Sequence, residues 1–560
     1  MRTRRKIKLS IVIPIYYNEE NRIPFYNNIK EKIIDSEMVM VNLLLASIII
    51  ILFKVWSMPM WSGRYNFSRR GMKIGMKYFL CKNKEIAWEA TSFLLLFCFT
   101  LVWLSMRNVT EFMWDSQYYW TVGDSIIYEG HWDILGYPET FRGYFLPVIL
   151  LLMKVLGETC FGNSVLIFWI VTAALLTSIF TIILPYLFEK KVSNSKSFVR
   201  IILVYLVVLL FWGDYILYPL SDMIAFALLV SGVALLKKIY KGIKSNVIKI
   251  VVGMLAGICL YACYNTRAAY IYGVIGIVAI YLIMEIKARK IKWISWIAIC
   301  MGVVICAMPQ SVINHQYTGS YLPKVYTEQY TNYQTGLEMM QVYWGLTMPN
   351  YLTYVGSLDL YPEPGVYFDD KVGTEILTRE GMVKESFSVG ELLKLFIKYP
   401  QDMIGIYTRH LVSLLTPMFL ETYIHNMYID KGWFLSIMII MWFITATYFL
   451  WSIANKKVNW ILVLNLLAIF LPCLLQLAGA PESRFFLPIH FVMYFYILFY
   501  ADFGSCKGYI KKNAITLIVV FGTVYILWIG VISDILKSNV YKTFLINDTN
   551  VYETQIESTE

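Results

Sequence analysis

The acidic residue Asp115 stands nine residues after Met106, where an apolar run ends, and opens a stretch rich in tryptophan, tyrosine and phenylalanine that continues to Tyr144. Aromatic side chains concentrate where a membrane meets water, so this stretch is predicted to lie at the membrane surface. A carboxylate there can accept a proton from a hydroxyl group or hold a metal ion beside a phosphate. Asp115 is therefore the first candidate catalytic residue. The alternative interpretation is that it caps the helix that follows.

A second candidate catalytic residue, Asp222, is the only charged residue between Tyr215 and Leu236 in an otherwise apolar stretch. A carboxylate within a membrane is costly and therefore suggests a function. Pro219 offers the alternative, because a helix that starts late would bring Asp222 to the surface as a cap.

Arginine side chains supply the complementary charge. Guanidinium groups are permanently charged, forked donors that suit a phosphate. Each arginine has an alternative role. It can extend its charged end from the membrane to water, or it can pair with a nearby acid such as Glu482. The predicted substrate-binding and lipid-phosphate-binding residues are Arg142, Arg267, Arg484, Glu139, Tyr118 and Glu482.

No metal-ligand motif was found. The five histidines match no spacing such as HExxH, and the nine cysteines are scattered, mostly in apolar runs. No metal-binding residue is therefore predicted, although a divalent metal ion is the one cofactor left open. The absence of a Walker loop or a Gly-rich dinucleotide turn in the sequence argues against an ATP-driven pump.

The elements that must position these residues are membrane helices. The chain has 560 residues, of which 58% are hydrophobic and 16% charged. Its net charge of +11 is explained by lysines and arginines in short loops between apolar runs, a pattern typical of cytoplasmic loops rather than of nucleic-acid binding. We predict an all-α polytopic membrane protein with these spans: 89–106, 164–187, 198–212, 215–236, 247–263, 268–286, 292–308, 433–453, 460–478, 485–503 and 513–533.

The basic loops alternate with the loops that carry the candidate residues, which predicts a multi-pass plasma-membrane protein whose site faces away from the cytoplasm. The predicted core, 89–308, contains the first outer loop, 107–163, with a surface helix at 145–156. The outer loop 309–432 has 13 acidic and 8 basic residues, and it contains two helices separated at Pro400. Spans in 433–533 and a polar outer tail, 534–560, follow.

Before the core stand a leader, 1–38, and an apolar segment with a basic linker, 39–88. The first apolar run begins only after the leader, so no cleavable signal peptide is predicted. Residues 39–56 are long enough to span, but basic residues flank both sides, so crossing, re-entrant and interfacial placements stay open and a twelfth span is an alternative. The sequence IVIPIYYNEEN at 11–21 resembles the start of a family 2 glycosyltransferase. Because the rest of that domain is missing, the leader is interpreted as vestigial.

Four motifs occur in order along 89–533: Asp115 in the first outer loop, PLSD at 219–222, NHQYTGS at 314–320 after MPQ, and PESRFFLP at 481–488. Together they resemble the GT-C superfamily of integral membrane glycosyltransferases, which includes protein O-mannosyltransferases and the aminoarabinose transferases of lipid A. The resemblance implies a polyprenyl-phosphate sugar donor and a first-loop carboxylate that serves as a base or metal ligand. Asp115 is followed by Ser116 and Gln117 instead of a second acid, which favours a metal-independent base.

The resemblance implies a glycosyltransferase that moves a hexosyl or pentosyl group to a glycan, lipid or protein of the cell envelope. Asp115 would accept the proton, and Asp222, Arg267 and Arg484 would orient the carrier phosphate. The loop 309–432 would act as a lid that selects the acceptor. The alternatives are a polysaccharide polymerase or ligase with a diphosphate-linked donor, and a glycan or lipid transporter without chemistry. Membrane lipid is an expected partner in each case, and nucleic acid is not.

Overall fold

The computed structural model describes residues 69–128, 131–326, 336–354, 365–424 and 432–538. The predictions for the leader 1–38, for the segment 39–56 and for most of the tail 534–560 lie outside these residues. The chain divides into two compact units. The described part of the smaller unit comprises the first residues of one helix, up to Ile74, and a short antiparallel hairpin, β1 (Ile127–Tyr128) and β2 (His131–Trp132). The remaining residues form the larger unit, which holds all the candidate residues.

Ten helices in the described residues are long and apolar enough to cross a membrane, and this confirms the all-α polytopic class. The predicted span at 460–478 is a helix of 17 residues, just short of that length. The ten candidate spans lie in α1 (Arg69–Arg107), α4 (Leu166–Leu187), α5 (Ser195–Trp212), α6 (Ser221–Lys241), α7 (Asn246–Thr266), α8 (Ile271–Lys287), α9 (Trp293–Thr318), α14 (Gly432–Ala454), α16 (Leu487–Tyr494, continued as a π-helix over Phe495–Tyr500) and α18 (Ala514–Lys537), and the shorter apolar helix is α15 (Trp460–Gln476).

The shorter helices lie in the predicted loops. They are α2 (Trp114–Val122), α3 (Phe145–Phe161), α10 (Gly336–Thr347), α11 (Lys371–Arg379), α12 (Val389–Lys398), α13 (Pro400–Leu415) and α17 (Phe503–Lys512). The surface helix predicted at 145–156 is present as α3, although it continues to Phe161. The predicted break at Pro400 is also confirmed, since α12 ends at Lys398 and Pro400 is the first residue of α13.

Several predicted boundaries differ from the helices, including 215–236, which is a helix over Ser221–Lys241, and three further differences change the predicted divisions of the chain. The basic segment before residue 89 is not a linker from Arg69 onward, because α1 is continuous from Arg69 to Arg107. Helix α9 continues through Pro309 to Thr318, so the beginning of NHQYTGS is helical and not loop. Helix α18 extends the last span from 533 to Lys537.

The loops predicted to share the basic side of the membrane contact one another. Glu189, after α4, pairs with Lys237 and Lys241 of α6 at 3.1 and 2.8 Å. Lys190 donates a 2.6 Å hydrogen bond to the carbonyl oxygen of Tyr500, and Lys292 donates one of 2.6 Å to that of Ile239. We call this the basic end of the bundle.

The outer loop 309–432 is a folded element rather than an open connection. Helices α10 to α13 surround a core that includes Leu346, Phe387, Met403 and Ile406, all buried. A three-stranded sheet completes it, with β3 (Asn350–Tyr354) between antiparallel β4 (Gly365–Phe368) and parallel β5 (Tyr423–Ile424). No strand was predicted here, because the sequence signal for such short strands is weak.

Candidate functional site

Asp115 lies in the first turn of α2, one residue inside the helix. The alternative interpretation, that Asp115 caps this helix, was wrong, because Met113 is the N-cap residue. The Asp115 side chain is 38% exposed, and each of its two oxygens accepts a hydrogen bond from an arginine. Arg142 Nη2 lies 3.1 Å from Oδ1, and Arg484 Nη2 lies 2.9 Å from Oδ2. One exposed carboxylate therefore joins two arginines that are 342 positions apart in the chain (484 − 142).

Aromatic rings hold Arg142 in place. The centre of its guanidinium group lies 4.7 Å from the ring centroid of Tyr118 and 4.6 Å from that of Tyr119. The Tyr118 hydroxyl donates a hydrogen bond to Glu139, and the Tyr137 hydroxyl donates a longer one of 3.3 Å. Stacking and ion pairing together fix the direction in which the planar guanidinium points.

Gly143 allows the segment that carries Arg142 to approach α7 closely. A Cβ atom at this position would lie 1.9 Å from the carbonyl oxygen of Asn265, so no other residue fits. The Asn265 amide then accepts a 2.8 Å hydrogen bond from the backbone nitrogen of Phe145 and donates one to Gln310. Gln310 belongs to the predicted MPQ motif, which therefore acts as a backbone support for the first outer loop.

Arg484 and Arg267 lie on the same aromatic ring. Their guanidinium centres are 5.7 and 4.5 Å from the ring centroid of Phe485. Arg484 also forms an ion pair with Glu482, and Arg267 forms one with Asp222. A continuous set of contacts therefore runs from Glu139 through Asp115 to Asp222 and includes all eight predicted site residues.

Asp222 occupies a different environment from Asp115. Helix α6 begins at Ser221 with Leu220 as its N-cap residue, so Asp222 lies in the first turn and is not the cap that the alternative interpretation proposed. Its side chain is only 2% exposed, and the Tyr215 hydroxyl donates a 2.6 Å hydrogen bond to its second oxygen. Buried and held on both oxygens, Asp222 can fix Arg267 but does not face a substrate.

The folded outer loop is attached to this site from two directions. The Tyr423 hydroxyl on β5 donates a 2.8 Å hydrogen bond to the Ser116 side chain in α2, and it accepts one from the Ser116 backbone nitrogen. On β3, the backbone nitrogen of Tyr351 donates a 2.9 Å hydrogen bond to the carbonyl oxygen of Pro481, three residues before Arg484. Movement of the outer loop would therefore be transmitted to both Asp115 and Arg484.

The acids of the site differ in their pKa. Burial raises the pKa of Asp115, but the charges of Arg484 and Arg142 and their hydrogen bonds outweigh it, so this pKa lies well below its usual range. Burial raises the pKa of Glu139 above 4.5, against the lowering effect of the Tyr118 hydrogen bond and Arg142. Burial likewise raises the pKa of Glu482, against Arg484. Asp115 is thus the most firmly ionised of these three acids.

The donor groups around Asp115 do not suit a divalent metal ion. Each carboxylate oxygen of Asp115 already faces an arginine. The positive charge of the two arginines repels a metal cation. Within the described part of the chain, no group of three or more His, Cys, Asp or Glu residues could hold a metal. His410 in α13 is buried, with its ring nitrogens 2.8 and 2.7 Å from the carbonyl oxygens of Leu477 and Gly345, so it is engaged in the fold.

Sequence reasoning missed the aromatic and hydroxyl groups that position the charges. These are Tyr119, Phe485, Tyr215 and Tyr423. Tyr119 and Phe485 could have been found, since each is adjacent in sequence to a predicted site residue. Nothing in the local sequence marks Tyr423, because its link to Ser116 depends on the fold of the outer loop.

A scan against protein-family models found no family that matches this chain. Searches of curated proteins and of solved structures also found no match. The resemblance to GT-C glycosyltransferases therefore rests on the motifs and their order, and the activity it implies stays a prediction.

Proposed function

We propose that this membrane protein is a glycosyltransferase that moves a sugar from a polyprenyl-phosphate carrier to a cell-envelope acceptor on the outer face of the plasma membrane. The observation that carries the proposal is the convergence of Arg142 and Arg484 on the partly exposed carboxylate of Asp115. This combination offers an anion-binding group and a proton acceptor at one point, in a chain with ten helices long and apolar enough to cross a membrane.

The arginines have the capacity to bind a phosphate. A guanidinium group has five N–H donors, and among the described residues Arg142 donates a side-chain hydrogen bond to Asp115 through Nη2 alone. Arg484 uses Nη2 on Asp115 and Nε toward Glu482, which leaves Nη1. Exposed apolar side chains at the end of α1, such as Val102 and Met106, precede α2 in the chain and offer a surface for the lipid carrier.

The reaction would proceed by displacement at the anomeric carbon. Asp115 accepts the proton of the acceptor hydroxyl, whose oxygen forms a bond to that carbon. The bond between the anomeric carbon and the phosphate oxygen breaks, and its electron pair leaves with the phosphate, whose charge the arginines stabilise. Asp222 has a positioning role, because its buried carboxylate orients Arg267 and is not exposed to a substrate.

Phosphate binding would also prepare Asp115 for its role. While both arginines pair with Asp115 its pKa is well below the usual range, which makes it a weak base. A phosphate bound by the same arginines adds negative charge beside Asp115 and raises its pKa. Proton acceptance is thereby coupled to the presence of the donor.

Asp115→Asn tests this assignment, with Asp124→Asn as the matched control. Asp124 lies just after α2 and pairs with Lys154 at 2.6 Å, outside the arginine network. With polyprenyl monophosphate sugars as donors and an envelope extract as acceptor, Asp115→Asn should lower transfer by about 100-fold or more, and Asp124→Asn should not. Transfer at the wild-type rate by Asp115→Asn would disprove the role of Asp115.

The same assay separates the alternative functions. A polymerase or ligase would use diphosphate-linked oligosaccharides and ignore the monophosphate sugars. A transporter would move the lipid across liposomes without forming a new glycosidic bond, and Asp115→Asn would then change flux alone.

A further inference from the structure

A cleft at the basic end of the bundle has no part in the proposed transferase site. Its cavity volume is about 100 Å³, and the empty space of the whole cleft, including the part open to solvent, is about 580 Å³. Helices α6, α8 and α15 form its walls, and most of the lining is apolar, including Leu187, Met284, Leu462 and Ile469. On α15, the neighbouring side chains Ile461 and Leu464 are 45% and 47% exposed on an apolar helix surface, so the cleft can be reached from surrounding lipid.

Two buried polar atoms in this cleft lack hydrogen bonds. Tyr281 is 2% exposed and Asn465 is 5% exposed, and both line the cleft. The Tyr281 and Asn465 side chains interact with each other, but among the described residues neither the Tyr281 hydroxyl nor the Asn465 side-chain oxygen has a partner in strict hydrogen-bond geometry. Buried polar groups without partners are costly, so this donor and acceptor favour a ligand with polar atoms at the same depth.

The mouth of the cleft carries positive charge. Lys237 is fully engaged, since its amino group contacts Glu189 at 3.1 Å and the carbonyl oxygens of Tyr186 and Leu187 at 3.3 and 2.8 Å. Lys241 contacts Glu189 at 2.8 Å, and its side chain is 50% exposed, so it can still donate to an anion. The two lysines and one glutamate leave a net charge of +1, and the start of α15 adds the positive end of a helix dipole.

From the basic end inward, the charged, polar and apolar groups of the cleft lie in the same order as the phosphate, the glycerol esters and the acyl chains of a phospholipid. Lys241 is the last residue of α6. Tyr281 lies six residues before the end of α8, and Asn465 five residues after the start of α15. At a rise of 1.5 Å per residue these two lie about 8 to 9 Å inside the helix ends. Ile469 lies one turn deeper on α15, where an acyl chain would pass.

We propose that this cleft binds an anionic phospholipid from the membrane leaflet at the basic end. The phosphate accepts hydrogen bonds from Lys241, the glycerol ester region meets Tyr281 and Asn465, and one acyl chain packs against Leu466 and Ile469. Basic pockets between membrane helices are suited to such head groups. The site is independent of the transferase assignment, since it shares no residue with the arginine network.

Lipid retention by the purified full-length protein tests the site. After purification, the protein is mixed with phosphatidylglycerol or phosphatidylcholine and the bound lipid is counted by native mass spectrometry. The wild-type protein should retain phosphatidylglycerol in preference to phosphatidylcholine. Lys241→Gln should lower phosphatidylglycerol retention roughly fivefold, the effect of one basic residue at a membrane surface, and leave phosphatidylcholine unchanged. Tyr281→Phe should lower retention of both lipids, since both carry the ester groups.

Matched variants make the result specific. Lys511→Gln removes a lysine of the exposed helix α17, and Tyr272→Phe removes a hydroxyl at the opposite end of α8, where Tyr272 is 52% exposed. Both should retain phosphatidylglycerol as the wild type does. Equal retention by Lys241→Gln and Lys511→Gln would overturn the proposal, and so would displacement of the lipid by millimolar glycerol phosphate, which would indicate a site for the free anion.

Discussion

At the scale of single residues, Arg142 shows how the site combines charge with a fixed direction. The centre of its guanidinium group lies over the rings of Tyr118 and Tyr119 while one nitrogen reaches Asp115. Lysine would keep the charge, but an ammonium group cannot present a flat fork to a carboxylate and a phosphate together. The function of this position therefore depends on the shape of the side chain as well as on its charge.

Arg142→Lys should consequently impair transfer even though the net charge is unchanged. We expect transfer efficiency to fall roughly tenfold, since a stacked cation with ion-pair contacts contributes one to two kcal/mol. The control is Arg107→Lys, which alters an arginine stacked on Trp103 at 5.4 Å, outside the network. Equal activity of the two variants would mean that stacking on the tyrosines does not orient the phosphate-binding group.

Glu139 presents the opposite situation, a carboxylate whose ionised form is disfavoured. Burial raises its pKa, and its Oε2 atom is buried without a hydrogen-bond partner. A group whose pKa is raised by folding contributes stability that is present below its unfolded pKa and is lost as pH rises through the folded pKa. Above about pH 4.5, ionised Glu139 should therefore lower the stability of the folded protein.

Glu139→Gln should remove this pH dependence. We compare the thermal unfolding temperatures of the variant and the wild type at each pH. The variant should gain more over the wild type at pH 7 than at pH 4, because glutamine does not ionise. Glu158→Gln, a partly exposed position in α3, should show no such change between the two pH values. A constant difference between Glu139→Gln and the wild type at both pH values would show that Glu139 does not titrate abnormally.

At the scale of elements, the close packing of α7 on α9 supports the first outer loop. Gly257 and Gly302 lie where the two helices approach most closely, and a Cβ atom at Gly257 would be 2.0 Å from the carbonyl oxygen of Ile299. Small residues at such crossings allow membrane helices to gain van der Waals contact along their length. The same helices carry Asn265 and Gln310, so their spacing also sets the position of the Arg142 segment.

Gly257→Ala should force α7 and α9 apart. The expected loss of stability is about 2 kcal/mol, as for other insertions into well-packed interiors, measured by reversible unfolding in detergent. Gly522→Ala provides the control, since a Cβ atom there meets nothing within 4 Å on α18. A Gly257→Ala protein as stable as Gly522→Ala would contradict the close approach of these helices.

At the scale of the whole molecule, charge separates the two ends of the larger unit. The basic loops contact one another through Glu189, Lys237 and Lys292. The arginine network and the folded outer loop lie on the other loops, which alternate with the basic loops along the chain. Retention of basic loops on the cytoplasmic side sets the orientation of membrane proteins. The arginine network should therefore face outward and the phospholipid cleft inward.

Labelling of single cysteines in intact cells tests this orientation. Gln117 is an exposed position in α2. A Gln117→Cys protein should be labelled by a membrane-impermeant thiol reagent to a greater extent than the wild-type protein. Cysteine at Lys511 in α17 should react only after the membrane is opened. The reverse pattern would place Asp115 in the cytoplasm and exclude an outer-face transferase.

The sequence by itself determined the all-α membrane class, ten of the eleven spans and the helices on either side of Pro400. These features depend on local hydrophobicity and local backbone preference, both of which can be evaluated within a few residues. The sequence also selected eight charged and aromatic residues that contact one another in the structure, because the alternation of basic loops assigns each loop to a side.

Only the tertiary structure decided which charges pair and which are accessible. Asp115 and Asp222 look alike as isolated acids near helix starts, yet one is exposed between two arginines and the other is buried against Arg267 and Tyr215. That difference arises from the packing of helices and of the folded outer loop, whose contacts join residues hundreds of positions apart. Long-range contacts of this kind have no local sequence signal, and they set the burial and hydrogen bonding on which the chemistry of each carboxylate depends.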